Sequence, residues 1–262
     1  MTTLAGRTIA ALRSEHDTLA GTVPGLTPEQ LSGPSGASEW TVADVLSHLG
    51  SGAEIALRDL RAALGEAEPP GPGFNQSVWD RWNALGPREQ AAGWLESDTA
   101  LVTALEAVPA ERHDELRVKL GFLPEPVPFA SYAGLRLNEV VNHVWDVRAG
   151  LDPAAGLTEP AGLVAAEHLA GGLGFLLGFV GKPGEVGRPV VLEIAGTPYR
   201  VVLDEQVRLT TEELPATATF TGPAEAAVRL LSGRLTPKFT PAGVAVTGNV
   251  TLDELRAVFP GY

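Results

Sequence analysis

A chain of 262 residues with 32 Asp and Glu against 19 Lys and Arg, a net charge of −13, is poorly suited to nucleic acid or to an anionic membrane, which both demand a basic surface. Its apolar content of 44% and charged content of 19% are those of an ordinary globular protein, and the length accommodates two domains. The absence of cysteine excludes disulfides, thiolate metal sites and a protein thiol nucleophile.

In chain order, the stretch up to Arg7 lacks the apolar run of a signal peptide, so a cytoplasmic protein is expected. Ile9, Leu12 and Leu19 recur at helical spacing over about 4–19, a helix that also carries His16. A turn-rich segment, 24–38, contains Pro28, Gly33, Pro34 and Gly36. A second helix then starts with clear signals. Thr41 is placed as N-cap, Asp44 as the acidic third residue that reaches back to it, and Trp40 with Val45 as a hydrophobic staple. It runs to about Leu64 and carries His48 on its second turn.

After a Pro- and Gly-rich loop, 66–73, the segment 74–83 holds Trp79 and Trp82 with polar groups between them, and no element is assigned to it. Pro87 suits the first turn of a third helix, 88–108, with Trp94, Leu95, Leu101, Val102 and Leu105 facing inward. A proline-rich loop, 120–129, leads to a fourth helix, 132–149, which Gly150 stops. Four long helices predict an antiparallel bundle, an architecture whose core commonly houses metal sites. A fifth helix is expected over 160–180. Its most apolar part, 169–181, is too short to span a bilayer. Beyond 181–184 the pattern changes to strands at 190–194, 199–203, 216–221 and 244–248, a helix at 224–231, and a final helix opened by a capping box at Thr251 and Glu254. The expected fold class is α+β: a helical bundle over 1–183 and a small α+β domain over 184–262.

The chemistry concentrates on the fourth helix. Glu139 and His143, four residues apart, share one face, while Val140, Val141, Val144 and Val147 can bury against a core. A carboxylate and an imidazole presented together are two of the three protein ligands of an open divalent-metal site, and His48 is the candidate third. Asp146, three residues after His143, can hydrogen-bond that imidazole from behind. Taken alone, a Glu and a His at this spacing are equally an exposed surface pair. His16 and His168 read as helix surface or rim positions, and His113, within a charged run, as exposed.

The segment Trp40-Thr41-Val42-Ala43-Asp44-Val45-Leu46-Ser47-His48-Leu49, followed about ninety residues later by Asn138-Glu139-Val140-Val141-Asn142-His143-Val144-Trp145-Asp146-Val147, resembles the DinB-like bundle of the mycothiol-dependent maleylpyruvate isomerase family. The stretches 224–234 and 249–255 are similar to that family's second, sterol-carrier-like domain, so the resemblance covers nearly the whole chain. It implies a zinc ion held by His48, Glu139 and His143, and mycothiol as the activated thiol. A chain without cysteine is compatible with a borrowed thiol.

Two reactions follow from a metal-held thiolate. In maleylpyruvate cis–trans isomerisation it adds to an activated double bond, rotation occurs, and it leaves again. In S-transfer it remains on a small electrophilic substrate. The family uses an arginine of its second domain. Substrate-binding candidates here are Arg229, Arg234 and Arg81, with Trp79 and Arg136 as candidates beside the thiol cofactor. Iron, nickel or manganese also suits the ligand set. The rival reading is a non-catalytic protein that binds a small apolar molecule. A monomer and a small homo-oligomer are equally compatible with the sequence.

Overall fold

The computed structural model describes residues 3–261; the extreme ends of the two expected domains lie outside the described residues. Its contacts divide the chain into two compact units, Met1–Leu151 and Asp152–Tyr262. This division falls some thirty residues before the 183/184 boundary expected from the change of sequence pattern, because the helix after Leu151 packs with elements of the second unit.

The first unit comprises α1 (Leu4–Ala20), a short α2 (Pro28–Leu31), α3 (Val42–Leu64), α4 (Phe74–Asn83), α5 (Pro87–Glu106), a two-residue antiparallel ladder of β1 (Arg117–Val118) and β2 (Val127–Pro128), and α6 (Phe129–Leu151). The long helices α1, α5, α3 and α6 pack in a ring around Leu12, Leu46, Leu49, Trp94, Leu101, Leu105 and Trp145. Contacts between α3 and α6 run in opposite chain order, with His48 by Glu139, Leu49 by Arg136 and Ala56 by Tyr132, so these two helices are antiparallel.

The expected cap holds α3 in place. Asp44 N donates to Thr41 Oγ1 at 3.1 Å and Thr41 N donates to Asp44 Oδ2 at 2.9 Å, satisfying two otherwise unpaired donors. Gly65, at φ 78°, closes the other end in the left-handed conformation that favours glycine. The helix α4 occupies a segment left unassigned from sequence; Val78 and Trp82, one turn apart, are its buried residues. Gly50 of α3 is what lets Trp82 lie against that helix, since a Cβ there would meet Trp82 Cζ3 at 2.5 Å. The helix α6 starts at Phe129, earlier than expected, and directly continues β2.

The second unit begins with α7 (Glu159–Leu169) and α8 (Leu176–Val180) in place of the single helix expected over 160–180. Gly171, Gly172 and Gly174 lie between them. Glycines lose the most backbone freedom in a helix, and three within four residues end it despite an apolar composition. The sheet contains β3 (Val190–Ile194), β4 (Arg200–Leu203), β5 (Val207–Thr210), β6 (Ala218–Thr221) and β7 (Ala245–Gly248), in the order β5-β4-β3-β6-β7. Pairing is antiparallel except between β3 and β6. The edge strand β5, four residues long, was not expected. With α9 (Ala224–Leu231) and α10 (Leu252–Val258), whose capping box forms as expected, the unit buries Leu192, Val201, Leu203, Phe220, Leu230 and Leu255. The fold class is α+β. No helix among the described residues is long and apolar enough to cross a membrane.

Candidate metal centre

Two antiparallel helices deliver the three expected ligands to one place. His48 sits on the second turn of α3, just past the cap that fixes its start, and Glu139 and His143 lie one turn apart on α6. Glu139 Oε2 is 3.0 Å from His48 Nε2 and 3.7 Å from His143 Nε2, and the two imidazoles meet edge to face with centroids 4.6 Å apart. One donor atom from each residue lies within 4.8 Å of the others. His48 and Glu139 are partly exposed and His143 is buried, so the cluster opens to solvent on the His48–Glu139 side.

Glu139 supplies the negative charge of the cluster. Burial pushes the Glu139 carboxyl up, but the His48 hydrogen bond and the nearby charges of His143, His48 and Arg136 outweigh it and bring the group down to about 2. It is therefore a carboxylate at neutral pH. Behind His143, the wholly buried Asp146 places Oδ2 at 2.8 Å from Nδ1. An ionised Asp146 accepts the Nδ1 proton and leaves the Nε2 lone pair directed at the cluster, the arrangement that metal-ligating histidines use. Two imidazoles, one carboxylate and an open side form a donor set that fits a divalent ion such as zinc.

Trp40, expected only as half of a staple, also walls this site. Its ring stacks on His143 at 5.8 Å with a 19° interplanar angle and is tilted against His48 at 5.3 Å, and it remains 38% exposed. The loop that carries it is tied down on α6. Gly36 N donates to the Asp146 carbonyl at 2.7 Å, Ser35 Oγ and N both donate to the Trp40 carbonyl, and a Cβ at Gly36 would collide with Trp145. Glu39, immediately before Trp40, has φ 66°, an unusual backbone for a residue with a side chain. The sequence signal for this role was a tryptophan eight residues before His48, two helical turns away through the capped start.

The other expected site residues have different surroundings. Arg136 is buried and donates from Nη2 to Asp98 Oδ1 and to the Leu49 carbonyl, each at 2.9 Å. Arg81 on α4 is exposed and paired with Glu54, whose other oxygen accepts from Trp82 Nε1 at 3.0 Å. Trp79, on the same helix, is 44% exposed. In the second unit, Arg229 is 1% exposed. Its Nε and Nη2 donate to both oxygens of Glu225, and Nη1 donates to the Phe239 carbonyl. Arg234 donates to the Ser232 carbonyl at 3.2 Å.

The remaining histidines are buried, contrary to the surface positions expected for them. His16 pairs with Asp98 at 2.9 Å, His113 Nε2 lies 3.1 Å from the Val108 carbonyl, and His168 is 4% exposed. The polarity of neighbouring residues misled here. The helical phase turns His16 and His168 inward, and a turn does so for His113, whose charged neighbours Arg112 and Asp114 stay exposed.

The sequence model of the mycothiol maleylpyruvate isomerase N-terminal domain matches residues 12–148, which include all three candidate ligands. Rv0738, an uncharacterized protein of Mycobacterium tuberculosis (strain ATCC 25618 / H37Rv), is 28% identical over 169 residues, covering 62% of this chain and 79% of that one. The crystal structures of the mycothiol-dependent maleylpyruvate isomerase and of a mutant of it each align over 100% of both chains with a TM-score of 0.66 at 17% identity, a likeness of fold. The matched family and the matched structures are those of an enzyme. A bundle of this fold, presenting His48, Glu139 and His143 as its donor cluster and matched by the family's domain over more than half of its length, belongs to the mycothiol maleylpyruvate isomerase family.

Proposed function

We propose that the chain is a cytoplasmic enzyme that binds one divalent ion, zinc by the chemistry of its donors, through His48, Glu139 and His143, and that it uses mycothiol as its thiol. When bound, the ion supplies the positive charge that keeps an incoming thiol deprotonated at neutral pH. The observation that carries this reading is the convergence of three donors from two helices, with Asp146 hydrogen-bonded behind His143. The chain's own residues then have separate tasks. Glu139 balances charge, Asp146 holds the His143 tautomer, and Trp40 covers the His143 face of the site, leaving approach from the His48–Glu139 side.

Within this chemistry the reaction is thiol addition to a small electrophile, as in cis–trans isomerisation of the maleylpyruvate type. S-transfer, in which the thiol remains on the product, is a second reading favoured by one observation. Isomerisation of a dicarboxylate wants an available guanidinium. Arg229 is buried with its donors committed to Glu225 and Phe239. Arg234 and Arg81 remain as candidates.

Elemental analysis of the purified protein is the first test. About one zinc per chain is expected, lost in His48→Ala and in His143→Ala, followed by mycothiol-dependent turnover of maleylpyruvate or of an electrophilic acceptor. A wild-type protein that retains no divalent ion even after reconstitution refutes the reading.

A further inference from the structure

Four helices of the bundle meet through a buried charge cluster that lies outside the candidate ligands. Asp98 of α5 accepts from Arg136 of α6 with one oxygen and contacts His16 Nδ1 of α1 with the other, both at 2.9 Å. The same Arg136 nitrogen donates to the carbonyl of Leu49 on α3 at 2.9 Å. His16 also packs against Trp94, with ring centroids 5.8 Å apart, and its Nε2 lies 3.3 Å from Thr99 Oγ1. All three charged or titratable side chains are more than nine-tenths buried, and Arg136 Nε meets no acceptor.

Such a cluster is a poor way to stabilise a bundle. Burying ions costs several kcal/mol each, and well-packed apolar residues often do as well or better. Its location is informative. Arg136 precedes Glu139 by three residues, one turn along α6, and Leu49 directly follows His48 on α3. The guanidinium therefore clamps the two ligand-bearing helices together beside the ligands themselves. Asp98 opposes a positive charge that would otherwise repel a cation at the cluster.

We propose that the Asp98–Arg136–His16 cluster is the positioning device of the metal centre, setting the gap between His48 and the Glu139–His143 pair and neutralising the field behind it. This inference rests on the metal reading above. It concerns the spacing of helices, whereas Asp146 orients a single ring.

The test uses cobalt(II) as the probe, titrated into the metal-free full-length chain and followed by affinity, by the visible absorption of the bound ion and by melting temperature. Asp98→Asn is expected to weaken cobalt binding at least tenfold and to change the visible spectrum. His16→Leu, which leaves the Asp98–Arg136 pair in place, is expected to weaken it several-fold, and decides the matter should Asp98→Asn fail to fold. Leu101→Ala, a buried apolar truncation on α5, serves as the control: a lower melting temperature with wild-type affinity and spectrum. Wild-type affinity and spectrum in the Asp98 or His16 variant overturn the proposal, and so does an equal loss in Leu101→Ala, which would signal general loosening. Failure of the wild type itself to bind cobalt overturns the metal reading and this proposal together.

Discussion

Replacing Asp146 by Asn tests the centre with almost no change of shape. Asp146 is wholly buried and 2.8 Å from His143 Nδ1, so as a carboxylate it accepts that proton and fixes Nε2 as the ligating atom. Asparagine keeps the volume but offers a neutral acceptor, or, with its amide turned, a donor that favours the opposite tautomer. A hydrogen bond to a charged group contributes about 1.5–3 kcal/mol and a neutral one about 1 kcal/mol, so the exchange removes about 0.5–2 kcal/mol from the state competent to bind metal. A weakening of roughly 2- to 30-fold follows, at 1.4 kcal/mol per factor of ten. It overlaps the 10- to 100-fold generally seen when such outer partners are changed. Competition of the metal-loaded protein against a chelating dye reads the affinity, and far-UV circular dichroism verifies that the bundle is intact. An Asp146→Asn protein that holds zinc as tightly as wild type, while His48→Ala loses it, would refute the tautomer argument.

Two further substitutions probe the scaffold. Burial raises the Asp59 carboxyl from an ordinary 3.8 to about 6, so its contribution favours folding fully below about pH 3.8 and is lost as the pH rises through about 6. Above pH 7 the ionised group is a net cost to folding. Asp59→Asn is expected to be more stable to urea, by a margin that grows from pH 5 to pH 7 and then levels, and a margin independent of pH would contradict this. Gly50→Ala puts a methyl group into the Trp82 ring and is expected to destabilise the first unit by about 1–3 kcal/mol. An unchanged melting temperature would show that α4 moves aside freely.

Local sequence determined much of this protein. The Thr41–Asp44 and Thr251–Glu254 boxes fixed two helix starts, and the i, i+4 spacing put Glu139 and His143 on one face, because capping and helical phase are properties of a few consecutive residues. The same locality made 74–83 ambiguous. Of its apolar residues Phe74, Val78, Trp79 and Trp82 only Val78 and Trp82 are buried, and Gly50 leaves room on α3 for Trp82. Likewise, apolar composition suggested one helix over 160–180, whereas the glycines between α7 and α8 end it. Tertiary structure alone decided which polar groups lie inside. His16, Asp98 and Arg136 are separated by 82 and 38 residues along the chain, and their burial depends on three helices closing on one point. It decided equally that Trp40 stacks on His143, since that contact depends on a loop lying across α6 at Gly36. Glu139 and His143 were legible as a shared helix face, and His48 joined them as a candidate ligand aided by the family resemblance. Their support was not, because a hydrogen bond between distant helices leaves no periodic trace in the sequence.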